Sequence, residues 1–334
     1  IIISMQVEKP KIELYQNRSF GQKLSATFDF LRENYKLWLK ACFYLILPLC
    51  LVQAFSFDMM FSTLMPFYAD ALGGMGGFTP SEGLLVRLGL SYFGYFVCIS
   101  VGSFLLSSIC YAMMKYYRTS PTRLHNTTMK DLKPLIIQSM KRAFLLGLLL
   151  VGGWFLILIL VVIFSAMTSL YALFVILVLA TVVFIIPLSM AMPVYIFEDD
   201  ESAWGAVRRS ISLGFHSFWS LLGLMIVVGL LANVLQTVTT LPWYISFLVK
   251  VVLTSSDAGQ EAFANSPIYN FIGYLLSVFM NFGMYLTMSL STIALAYHYG
   301  SVAEEVDGLS VVDDIENFEQ LAEEDSDIDN FDKL

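Results

Sequence analysis

Charge is what this sequence has least of. Only 14% of its 334 residues are Asp, Glu, Lys or Arg, against 57% hydrophobic residues. The mean hydropathy is +0.71. Soluble globular domains carry about 25% charged residues, so an ordinary water-soluble enzyme is excluded. The long apolar runs also lack any central acid or base. Ion-coupled transporters and proton relays keep buried Asp, Glu or His within the membrane, which disfavours an ion-driven pump. Cysteine and histidine are scarce too. Cys42, Cys50, Cys98 and Cys110 sit inside apolar runs without CxxC spacing, and the chain has 3 His. They read as small apolar packing groups rather than a disulfide framework or zinc site. No Lys-Ser/Thr pair follows the GGMGG run at 73–77, so it reads as an outer loop and not a phosphate loop. There is no Ser-His-Asp order, no HExxH and no basic strip interleaved with aromatics. The sequence therefore predicts no catalytic residue, no metal or cofactor and no nucleic-acid partner. No cleavable signal peptide is expected at its front.

What the chain does have is apolar length. A helix crosses a bilayer in about 20 residues, and six stretches qualify: 37–57, 84–116, 143–165, 169–197, 218–238 and 268–299. Aromatics make up 15% of the chain, including 27 Phe and 17 Tyr, as expected where rings sit at a lipid–water boundary. Of the 19 Lys and Arg, 17 fall before span one, between spans two and three, between spans four and five, or in the tail. Arg87 and Lys250 fall on the other side. By the positive-inside rule both termini are cytoplasmic.

The spans alternate short and long, and an amphipathic segment precedes each short one. The first carries Phe20, Leu24, Phe28, Leu31 and Tyr35 at helical spacing, with Lys23, Asp29, Arg32 and Lys36 opposite. The second sets Leu132, Ile136, Met140 and Phe144 against Lys130, Lys133 and Lys141; the third sets Trp204, Val207, Ile211 and Phe215 against Arg208 and Ser212. Such segments suit the headgroup plane. The fold expected is an all-α polytopic membrane protein: six transmembrane helices as three repeats of interfacial elbow helix plus helical hairpin, N-in/C-in. Residues 1–17 form an N-terminal cytoplasmic segment, and 18–302 the membrane domain, with repeats near 18–116, 127–197 and 200–299. An acidic cytoplasmic tail covers 303–334. Outer loops are expected at 58–83 and 239–267.

The elbow-plus-hairpin repeat, the AMPVYIFEDDESAWGAVRRSISL block and the ending IALAYHYGSVAEEVDGLSVVDDIE resemble bacterial integral membrane proteins related to the membrane domain of glycerophosphodiester phosphodiesterases, chiefly Bacteroidetes-type members. The resemblance covers about residues 18–318. It implies fold and a bacterial inner-membrane location. The soluble phosphodiesterase domain is absent from these residues, so its activity is not carried over.

Three candidate sites follow. Asn233 and Gln236 share a helix face and could meet Asn281 as a polar cavity, or could simply bond between helices; Gln53 is a fourth polar residue in the spans. Lys130, Lys133, Lys141, Arg142, Arg208 and Arg209 are candidate anionic-lipid contacts, although topology alone also explains these bases. In the tail, which has thirteen acids and one base, Ile315, Phe318 and Leu321 share a face that could dock a partner. The run Glu198–Asp199–Asp200–Glu201 reads as capping the third elbow helix. Pro48, Pro187 and Pro193 should bend their spans. The function predicted is a non-enzymatic scaffold or accessory subunit of an envelope complex. The alternative is a carrier or binder of lipids or amphiphilic solutes in a cavity between repeats. Partners would be membrane lipids and membrane or cytoplasmic proteins met through the tail, with a homo-oligomer as a candidate assembly.

Overall fold

A computed structural model describes residues 10–73, 82–125, 127–168, 172–254, 262–263 and 265–309. Their regular elements are all helical: α1 (Phe20–Leu45), α2 (Leu47–Gly73), α3 (Glu82–Thr119), α4 (Met129–Thr168), α5 (Ala172–Leu188), α6 (Ala191–Phe197), α7 (Ala203–His216), α8 (Phe218–Thr254) and α9 (Pro267–Asp307). Six helical stretches are long and apolar enough to cross a bilayer: α2, α3, α4, α5 with α6, α8, and α9. The chain is a multi-pass helical membrane protein.

The helix ends follow local chemistry. Ser19 opens α1 in a capping box with Gln22, whose Oε1 accepts from the Ser19 amide at 2.8 Å. Ser202 caps α7 by accepting from the Gly205 amide at 3.0 Å. Ser266 caps α9, with Pro267 next in line. At the far end of α9, Gly308 adopts φ 61°, a left-handed stop that glycine takes without penalty. The prolines mark breaks rather than gentle bends. Pro48 lies just past the one-residue break at Ile46, and Pro187 and Pro193 flank the break between α5 and α6.

The three amphipathic segments take three different forms. The first is the long helix α1, the second is fused into the 40-residue α4, and only the third is a separate short helix, α7. Pro134 stands inside α4 and removes one helical N–H donor, but the helix runs on through it. The outer loops are shorter than expected. α2 continues to Gly73 and α8 to Thr254, so Asp58 and Lys250 stand on helices. Aromatic packing holds these extensions together: Phe57 lies 4.9 Å from Trp243 and 5.4 Å from Tyr95, and Phe61 lies 5.2 Å from Phe247.

α9 is the central post, packed against α8, α2, α1 and α3. Its buried face carries Tyr285, Ile293, Ala296, Tyr297 and Tyr299. Small residues allow close approach: a Cβ on Gly102 would fall on the Tyr285 ring, and one on Gly283 on Thr239. All four cysteines are buried free thiols. The α4–α5 hairpin is peripheral. α4 packs on α3, α5 reaches α7 and α8, and both are apolar on nearly every side.

Candidate functional site

The end of the molecule that carries α7 is tied together by charge. Arg209 Nε lies 2.6 Å from Glu198 Oε1, and its other arm lies 2.6 Å from Asp307. Tyr299 donates to the same Glu198 oxygen at 2.6 Å. Burial opposes the charge on Arg209, but Glu198 and Asp307 outweigh it and raise its pKa. Asp199 is held by Lys115 at 2.6 Å and by Arg142 at 3.3 Å, and Arg142 also donates to the Tyr195 carbonyl at 2.6 Å. The acidic run therefore cross-links helices instead of capping α7, since Ser202 already holds that cap. Its acids lie within reach of bases from α3, α4 and α7, and paired contacts in partly buried positions outweigh a dipole interaction.

Residues 10–19 add a strap that the sequence pattern gave no signal for. Leu14 and Arg18 are buried, and a Cβ on Gly300 would strike the Leu14 carbonyl. The Arg18 guanidinium donates to the carbonyls of Leu14 and Gln16 at 3.1 and 3.4 Å and faces the Tyr297 ring at 5.2 Å. Lys23, assigned by the sequence to the polar face of α1, is buried. Its Nζ lies 3.2 Å from His298 Nδ1, and Ser217 Oγ lies 3.1 Å from His298 Nε2. The apolar stripe Phe20, Phe28 and Tyr35 is the exposed one. An in-plane helix would turn that face to lipid.

Within the spans, the expected trio of Asn233, Gln236 and Asn281 does not assemble. Asn281 is fully buried but pairs with Gln53, whose Nε2 donates to Asn281 Oδ1 at 2.8 Å; Tyr285 donates to Gln53 Oε1 at 2.5 Å. Gln236 turns to Thr240, Thr287 and the Met280 carbonyl, at 3.0, 3.2 and 3.3 Å. Asn233 is exposed and donates to its own helix at Gly229. Gln236 reaches α9 beside Asn281, at the Met280 carbonyl, but each amide has other partners. Gln53, Gln236 and Asn281 are interhelical ties, and Asn233 is bonded within α8.

A large apolar hollow lies elsewhere. Between the α4–α5 hairpin and α7–α8 runs an open cleft of about 680 Å³, within the roughly 300–1,000 Å³ of ligand sites. Leu150, Gly153 and Ile157 of α4 form one wall, Leu177 and Phe184 of α5 the second, and Trp204 and Ile211 of α7 cap the end. Trp154 donates to Thr181 across the hairpin at 3.2 Å. Met225 and Ser189 also border a smaller hollow of about 140 Å³ that reaches Ser291 and Ala294 on α9. α7 is seated by Gly214, where a Cβ would fall on the Pro187 backbone.

No family model, curated protein or solved structure matches the chain. Its own geometry must therefore carry the functional reading. That geometry divides the six candidate lipid-binding bases. Arg142 and Arg209 are spent on internal ion pairs, whereas Lys130, Lys133, Lys141 and Arg208 are exposed and join no ion pair among the described residues. Arg208 lies over the Trp204 ring at 5.7 Å. Ile315, Phe318 and Leu321 lie outside the described residues. Among the described residues, no three His, Cys, Asp or Glu side chains converge as a metal cage would need.

Proposed function

We propose that this chain is a non-enzymatic protein of the bacterial inner membrane, both termini in the cytoplasm, that binds the acyl chain of a membrane lipid or similar amphiphile in the α4–α5/α7–α8 cleft. One observation carries the reading: the cleft is lined almost wholly by apolar side chains and lies between the second and third expected repeats. The uneven placement of Lys and Arg supports the orientation. The resemblance to phosphodiesterase membrane domains supports location and fold only. A soluble ligand would want converging polar groups in such a hollow; here Thr181 and Ser189 are the small exceptions, and Thr181 is already bonded within the hairpin.

The adjacent glycines of α4 give a test with its own control. Gly153 lines the cleft, Gly152 does not, and a Cβ on either meets open space. Native mass spectrometry of protein released from lipid nanodiscs should show retained lipid on wild type and on Gly152→Trp, and little on Gly153→Trp. Equal retention by all three would remove the cleft as the binding site. The scaffold reading rests on the acidic tail. Deleting residues 311–334 and repeating a native pull-down tests it, and unchanged partners would sink it.

A further inference from the structure

The cleft has a measurable depth and a charged rim, and together these specify the lipid. On α5 its wall runs eleven helical rises, from Leu188 beside α7 to Leu177. At 1.5 Å per residue that is about 16 Å, close to half of a hydrocarbon core about 30 Å thick. The cleft is one leaflet deep. It begins at α7, the amphipathic helix whose exposed Trp204 and Phe215 place that end at the headgroup boundary.

Beside the cleft, Arg208 is a cation that pairs with no carboxylate among the described residues. Trp204, Val207 and Ile211 face the cleft, and Arg208, one turn past Trp204, lays its guanidinium over the indole that lines the cleft end. Its neighbour Arg209 has absorbed Glu198 and Asp307, and Asp199 has been taken by Lys115 and Arg142. Asp200 and Glu201, just before α7, form no ion pair with Arg208. Glu198, Asp199 and Asp307 are therefore committed to the protein's own frame, and Arg208 stands over an acyl-sized slot in no ion pair among the described residues.

We propose that the cleft selects an anionic phospholipid from the leaflet on the α7 side, with its phosphate at Arg208 and one acyl chain along Gly153 and Phe184. This deepens the lipid-binding reading and rests on it. A planar guanidinium suits phosphate oxygens, and its stacking on Trp204 keeps it oriented.

The test uses full-length protein in nanodiscs of equal phosphatidylglycerol and phosphatidylcholine, with retained lipid counted by native mass spectrometry. Wild type should retain phosphatidylglycerol over phosphatidylcholine by about fivefold, the ratio that one interfacial base supplies. Arg208→Gln should bring that ratio near unity while leaving total retained lipid unchanged, and Arg208→Lys should keep most of it. Replacing Lys130, Lys133 and Lys141 together by Gln should leave the ratio at the wild-type value. A preference that survives Arg208→Gln, or that vanishes with the three lysines instead, overturns the headgroup assignment while leaving the acyl cleft standing. Equal loss of both lipids in Arg208→Gln also overturns it, because Arg208 would then support the cleft rather than a headgroup. If wild type retains neither lipid, the lipid-binding reading falls as well.

Discussion

The buried amides are the clearest residue-scale feature. Gln53, Asn281 and Tyr285 satisfy one another where no water reaches. Gln53→Leu should cost about 1–2 kcal/mol in thermal or denaturant unfolding, because it strands the buried Asn281 Oδ1 and leaves Tyr285 only the Cys98 carbonyl. A double-mutant cycle with Asn281→Leu should give a coupling of about 0.6 kcal/mol, at most about 1.7, as for other membrane hydrogen bonds. A coupling of zero would deny the contact. Lys23 makes the opposite case, a buried cation whose hydrogen-bond partner is a histidine. Burial lowers its pKa from 10.5 by more than the charge of Glu305 raises it. The unfolded chain thus binds more protons than the folded one between the lowered value and 10.5, and stability gains as pH rises through that window. The stability of Lys23→Met relative to wild type should therefore be greatest near neutral pH and shrink towards pH 10. A constant difference in melting temperature would contradict this. Adjacent Arg208 and Arg209 should also part company: Arg209→Met breaks two ion pairs and destabilises, whereas Arg208→Gln leaves melting unchanged.

At the scale of elements, the pattern of apolar runs showed much and misled in identifiable ways. Six spans and the amphipathic character of α1 and α7 were legible, because length and periodicity are written locally; the first span, however, starts at Leu47 past the break at Ile46, not at residue 37. The helical continuations past Phe57 and Val238 were not. A crossing needs only about 20 residues, so length gave no reason to extend these helices, and the extensions are held by rings from α2, α3 and α8 meeting in three dimensions. The same limit hid the partner of Asn281. Gln53 was visible as a polar residue in span one, but which amide faces which depends on helix rotation, and sequence spacing does not encode that. The N-terminal strap was invisible for a similar reason, since Leu14 and Arg18 are buried by contacts far along the chain. Gly214 shows how one residue positions an element. Gly214→Ala puts a methyl on the Pro187 backbone and should cost about 1–3 kcal/mol as an overpacked contact. Gly152→Ala, in open space, should be neutral or gain up to about 1 kcal/mol from helix propensity. Differential scanning fluorimetry of the two alanine variants would check the pair, and similar melting would mean α7 is not seated on α5.

For the whole molecule, the formal charge of −8 hides a division. Residues 1–302 carry 18 bases and 14 acids, and the acidity belongs to the tail. Within the body, acids and bases at the α7 end knit α3, α4, α7 and α9 into one frame, beside which the α4–α5 hairpin leaves a slot one leaflet deep. This contrast between a locked end and an open flank is the basis of the lipid-binding account. A photoactivatable phosphatidylglycerol, with its reactive group midway along one acyl chain, tests it most directly. Cross-linked in nanodiscs and mapped by peptide mass spectrometry, it should label chiefly residues 149–157 of α4 and 177–188 of α5, and Gly153→Trp should abolish that labelling. Label spread evenly over every lipid-facing helix, with exposed Val234 and Val238 on α8 marked as strongly as the cleft, would contradict the account.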